Sequence, residues 1–168
     1  MAFAYFNRLT RPQQRIYLQS DSVTTIPLRG ASEFHTLVDD LREALASEDQ
    51  LRIQGATERL VNTLTAALDV VRVRVEVLAA RPSRSWGELH GLYTTGGRGR
   101  SAKLTVWMRT ARHRKVVAFK TFLRTILHEC CHHLDYERLR LADSFHTQGF
   151  YKRESSLFHQ LTNTSRSP

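Results

Sequence analysis

The stretch Thr125–Leu139, "TILHECCHHLDYERL", crowds three histidines, two cysteines and three acids into fifteen positions. Within it His128-Glu129-Cys130-Cys131-His132 reads His-Glu-x-x-His. An α-helix turns about 100° per residue, so side chains four apart point nearly the same way and two imidazoles so placed can reach one ion. Glu129 lies too far round the helix to be a third ligand of that kind, but it can reach a water on the ion and serve as general base. Upstream and downstream, Val116, Phe119, Leu123, Ile126, Cys130 and Leu134 recur every three or four residues. This spacing predicts a buried-face helix of about five turns, ending near Leu139. The apolar stripe covers the side away from the histidines, and Thr121 and Thr125 on the front suit the floor of a cleft.

A catalytic zinc keeps three protein ligands and a water, so a third ligand has to be found. In metzincins it is a histidine six residues after the second, with a glycine three after it. Here those positions hold Arg138 and Asp135, which excludes that pattern. The donors downstream are Asp135, Glu137, Asp143, His146, Glu154 and His159. His146 is preferred: it lies fourteen residues after His132, past the expected helix end, and opens the last helix on the face of Phe150 and Leu157. Glu154, two turns on along that face, is the alternative and would make a gluzincin-like site. His133 points about 100° away from His132 and reads as a bystander, at the surface or behind a ligand. Asp135 reads equally as an acceptor for a ligand imidazole, a cap on the cleft or a solvated acid. Cys130 and Cys131 read as small buried hydrophobes. Tyr136 and Tyr151 are candidate oxyanion donors, and His35, His90 and His113 have no partner pattern.

The surroundings predict an α+β chain with a small mixed or antiparallel sheet packed on helices. Residues 1–30 form an arm with a short helix near Pro12 and a β-rich "SVTTIPL". A helix capped by Ser32 runs to about Ala46, and a second covers roughly Thr57 to Ala67. "VVRVRVEVL", 70–78, alternates as a strand with Val71, Val73, Val75 and Val77 on one side. "TTGGRGRSAK" makes a glycine-rich hairpin or rim loop, followed by a strand, "KLTVWMRT", 103–110. A last helix carries Phe150, Leu157 and Leu161, and residues 162–168 form a frayed tail. At 168 residues, 41% hydrophobic and 24% charged, the chain has the size and composition of one folded domain, 1–168. No apolar run approaches membrane-spanning length, and two adjacent cysteines do not make a disulfide scaffold. A reducing, cytoplasmic setting is expected, with no membrane partner.

"LHECCHHLD" followed by "SFHTQGFYKR" resembles the SprT-like and WLM group of zinc metallopeptidases over about residues 100–160. His146, Gly149 and Phe150 match the downstream segment that supplies that group's third histidine. The resemblance implies a zincin-like fold, a Zn2+ cofactor held by His128, His132 and His146, and peptide or protein substrates. It also implies that the strand before the active helix, "KLTVWMRT", forms the rim of the cleft and pairs with extended peptide. The chain carries no cysteine-rich zinc ribbon of the kind many SprT-like proteins have.

Net charge is +9, and no acid stands between Glu88 and Glu129. Arg98, Arg100, Lys103, Arg109, Arg112, Arg114, Lys115, Lys120 and Arg124 fill that interval. This block, Arg98–Arg124, gives a reading of another class: a nucleic-acid-associated module in which zinc is structural or the site dormant.

Overall fold

The apolar period of the histidine-bearing segment becomes α4, Phe119–Glu137, whose back is buried through Phe122, Leu123, Ile126, Leu127, Cys130, Cys131 and Leu134. It begins later than the periodicity suggests because Val116 is still tied to the preceding strand. Val116 bridges Arg109, and the Val117 N–H bonds the Met108 carbonyl. The computed structural model describes residues 2–84, 87, 88 and 90–163. Before α4 come a 3-10 turn, Ala4–Arg8, and three helices, α1 (Arg11–Ser22), α2 (Ala31–Ala46) and α3 (Gln50–Ala67). Strands β1 (Arg74–Ala80), β2 (Ser83–Arg84), β3 (Gly87–Glu88), β4 (Gly91–Thr94) and β5 (Lys103–Arg109) follow, and α5 (Gln148–Thr162) comes last. The class is α+β, with one buried cluster running from Ile26 to Leu161 through α2, α3, β1, β5, α4 and α5. No helix among the described residues is long and apolar enough to cross a membrane.

The sheet has the order β1-β5-β4, with β5 parallel to β1 and antiparallel to β4. The strand expected at the rim, "KLTVWMRT", is therefore central. It has hydrogen-bonded neighbours on both sides, and Leu104 to Met108 are all buried. The rim strand is β4, joined to β5 by the glycine-rich turn, where Gly97 and Arg100 bridge and Gly99 has a φ of +72°. The opposite edge is closed by α3. Gln54 bonds the Val75 carbonyl and the Val77 N–H, and Gln50 bonds the Val77 carbonyl.

Several local expectations shift. Residues 23–28 form no strand; the Gln160 side chain takes the Ile26 carbonyl and the Leu28 N–H instead, flanking Pro27, which has no N–H to give. Ser32 is not a cap, because Gly30, left-handed at φ +70°, caps α2 two residues earlier. Helix α3 begins at Gln50 behind an Asp49 cap, well before Thr57. Burial of Ile53 and Ala56 offsets the roughly 1 kcal/mol that Gly55 costs inside it. Strand β1 starts at Arg74 rather than Val70. Val73 and Val77 are buried, Val75 is half-buried and Val71 is exposed. Of the tail, Thr162 ends α5 and Asn163 caps it; 164–168 lie outside the described residues.

The arm has a definite place. Thr10 and Gln13 form a reciprocal capping box at the start of α1, and the far end of α1 lies against α5. A Cβ at Gly149 would stand 2.3 Å from the Asp21 carbonyl oxygen, and the Gly149 N–H donates to the Asp21 side chain at 2.8 Å. Gly149→Ala is expected to lower stability by about 1–3 kcal/mol, the usual cost of forced overpacking, read as a fall in the urea midpoint.

Candidate metal centre

Two elements carry the site. Helix α4 presents His128 and His132 one turn apart, and the chain returns after α4 to place His146 just before α5. Thr147 caps α5, its hydroxyl accepting from the Phe150 N–H at 2.9 Å, and Tyr5 from the arm donates to the His146 carbonyl at 2.7 Å. The three Nε2 atoms converge, with His146 Nε2 3.0 Å from that of His128 and 3.1 Å from that of His132. Phe150, fully buried, forms the floor, its centroid 4.8 to 5.2 Å from each of the three rings.

Three imidazole nitrogens facing one another cannot all be satisfied by hydrogen bonds among themselves. They fit a cation. Nitrogens about 2.0–2.1 Å from a tetrahedral zinc stand about 3.3 Å apart, close to the spacing found here. These three can hold a metal ion, all their donor atoms lying within 4.8 Å of one another. Burial, then the flanking imidazoles, pushes His132 down to about 3, and burial, then His128, lowers His146, which favours the neutral rings that a metal ion requires.

The other donors sort by contact. Glu154 is not a third ligand in this arrangement. It stands behind His128, with Oε2 3.1 Å from His128 Nδ1 and Oε1 accepting from Arg124 at 3.4 Å. Asp135 is neither solvated nor in direct contact with any of the three histidines. It is fully buried, paired with buried Arg153 at 2.7 Å and bonded by the Ser144 hydroxyl at 2.7 Å, and Ser144 in turn meets His132 Nδ1 at 2.7 Å. Burial pushes the Asp135 carboxyl above its ordinary value, a rise that Arg153 and Ser144 offset only in part. A guanidinium left unpaired there would cost about 3–5 kcal/mol, so the pair is ionised.

His133 is no surface bystander. It is 1% exposed, accepting from the Tyr93 hydroxyl at Nδ1 (3.0 Å) and donating from Nε2 to the Val71 carbonyl (2.7 Å), which fastens α4 to β4 and to the approach to β1. Of the two tyrosines considered as oxyanion donors, Tyr136 lines the cleft, whereas Tyr151 stacks on His146 with centroids 5.9 Å apart. Cys130 and Cys131 are buried thiols whose ionisation burial opposes.

Glu129 is 6% exposed and takes a hydrogen bond from the Tyr93 backbone N–H. Burial pushes its carboxyl up to about 7, against the pull of His128. The backbone of β4 crosses directly over it: a Cβ at Gly91 would stand 2.5 Å from Glu129 Oε1 and 2.8 Å from Thr125 Cγ2. Gly91, Tyr93, Ser144 and Arg153 are the parts that sequence reasoning passed over. Only Gly91 carries a sequence signal, an isolated glycine in a strand-like run, which marks close backbone approach. The resulting cleft, about 940 Å³, is bounded by His90 to Thr95 on one side and by Thr121, Arg124, Thr125 and the histidines on the other.

The metal-free chain is expected to take up one zinc ion. His146→Ala should lose at least a hundredfold in affinity, whereas Glu154→Ala should still bind with a loss of about 10–100-fold, the range for a partner behind a ligand. Chelator competition measures both.

Compared with protein-family profiles, curated proteins and solved structures, the chain gives no match.

Proposed function

We propose that the chain is a zinc-dependent metallopeptidase with a zincin-like architecture. The observation that carries this reading is the meeting of three imidazole Nε2 atoms with the buried carboxylate of Glu129 in a cleft bordered by an edge strand. His128, His132 and His146 hold the zinc. Bound zinc supplies Lewis acidity, making water more acidic and polarising a carbonyl oxygen. Glu129 takes a proton from the attacking water and delivers it to the leaving amine as the C–N bond breaks. Its position under β4 keeps bulk water away and leaves it basic enough for that exchange. An extended peptide lies along β4, main chain to main chain, with its scissile bond near Glu129. Tyr136 is the cleft tyrosine available to a developing oxyanion.

Glu129→Gln is expected to keep zinc and to lower casein hydrolysis by about a hundred- to ten-thousandfold; full activity in that variant would overturn the mechanism. Wild-type hydrolysis should stop with a chelator and return with zinc.

One observation favours nucleic acid as an additional partner. Arg98, Arg100, Arg112, Lys115 and Lys120 are exposed and pair with no acid among the described residues, while Lys103, Arg109 and Arg124 are engaged by Glu76, Glu48 and Glu154. The free cations form two groups, beyond opposite ends of β5 and about 20 Å apart at about 3.3 Å per residue. Binding to a duplex should weaken steeply with salt and survive partly when only Arg98 and Arg100 are neutralised. Absence of binding at low salt would remove this component.

A further inference from the structure

We propose that Asp135 and Ser144 form a relay that fixes His132 as its Nδ1–H tautomer, with the buried charge of Arg153 as its origin. Its purpose rests on the metal-centre reading above; its chemistry requires no ion. The geometry determines each proton in turn. Arg153 Nη2 donates to Asp135 Oδ1 at 2.7 Å, and a guanidinium that keeps its charge out of water needs a counter-anion beside it, so Asp135 is the carboxylate partner and can only accept. The one hydroxyl proton of Ser144 therefore goes to Asp135 Oδ2, 2.7 Å away. Ser144 Oγ has no second proton, so its 2.7 Å contact with His132 Nδ1 is a hydrogen bond donated by the imidazole. The lone pair is thereby left on Nε2, the atom that faces His146.

A histidine side chain free in water favours the opposite tautomer, with the proton on Nε2, where it would block a metal. Ser144 and Asp135 are thus positioning residues that keep His132 ready to ligate before any ion arrives. The origin of the relay is fixed from outside the cleft. Arg153 also donates to the carbonyls of Ser20 and Val23 and, at 3.0 Å, to Ser20 Oγ, so the end of α1 helps to hold the guanidinium against Asp135. This gives the N-terminal arm a part in the site that its distance in sequence conceals.

The test uses the 15N-labelled, metal-free full chain. Imidazole nitrogen shifts and their couplings to ring protons report the His132 tautomer, and chelator competition reports zinc affinity. The wild type should show the proton on Nδ1. Ser144→Ala should admit the Nε2–H form and weaken zinc binding about 10–100-fold, and Ser144→Thr should restore both. Asp135→Asn should reverse the relay: its amide donates to Ser144, the hydroxyl turns to donate to His132 Nδ1, and the proton moves to Nε2. Where Asp135→Asn does not fold, the two Ser144 variants carry the test, since loss of packing alone would not move the proton between ring nitrogens. Nε2–H in the wild type, or an unchanged tautomer in Ser144→Ala, would overturn the relay. The predicted tautomers in a chain that binds no zinc would support the relay and defeat the metallopeptidase reading.

Discussion

A guanidinium that stays charged and never meets water has to find acceptors inside the protein, and Arg153 does so through both of its Nη groups. Its partners come from two helices far apart in the chain: the end of α1 supplies Ser20 and Val23, and α4 supplies Asp135. Helices α1, α4 and α5 can bring acceptors to both of its Nη groups in few arrangements, even though its Nε is left without a partner. The one adopted needs a bare backbone at Gly149, where Asp21 crosses α5. It also sets the turn of chain between α4 and α5 that brings His146 over the histidines of α4. The energetic requirement of one buried charge and the geometry of the centre are therefore the same constraint seen from two sides.

Much of this was legible in the sequence wherever one element carried the information. The period of α4 gave both its buried back and the common face of His128 and His132, because helical geometry alone relates residues four apart. That His146 would meet the two histidines of α4 was legible from chain length and its place at the start of α5. The roles of Glu154, Asp135 and His133 were not, because each depends on how α4 meets another element. Spacing counts Glu154 as a possible ligand, whereas packing turns it to the Nδ1 side of His128. His133, off the face of His128 and His132 by helical angle, is claimed by Tyr93 and Val71, forty and sixty-two residues away.

The rim strand shows the same division. "KLTVWMRT" has the composition of a strand, and it is one, but strand order is set by pairing between β1 and β5, which no local pattern encodes. The alternation in "VVRVRVEVL" likewise overstates β1 at its start, since Val71 precedes the paired segment and remains in solvent. Short β4 has almost no periodic signal. Its place follows from Gly91, which lets backbone lie on the Glu129 side chain, and from Tyr93, whose hydroxyl is fastened to His133 while its N–H meets Glu129.

The closure of β1 by Gln50 and Gln54 reaches beyond the single molecule. Endless stacking of sheets needs two open margins on every copy, one to receive a neighbour and one to offer the next. Here one margin is occupied by side-chain amides of the same chain, and the other borders the cleft. Among the described residues, edge pairing between two copies through the β1-β5-β4 sheet ends at two, so the arrangement that leaves β4 open for a guest also denies that sheet a route to fibres.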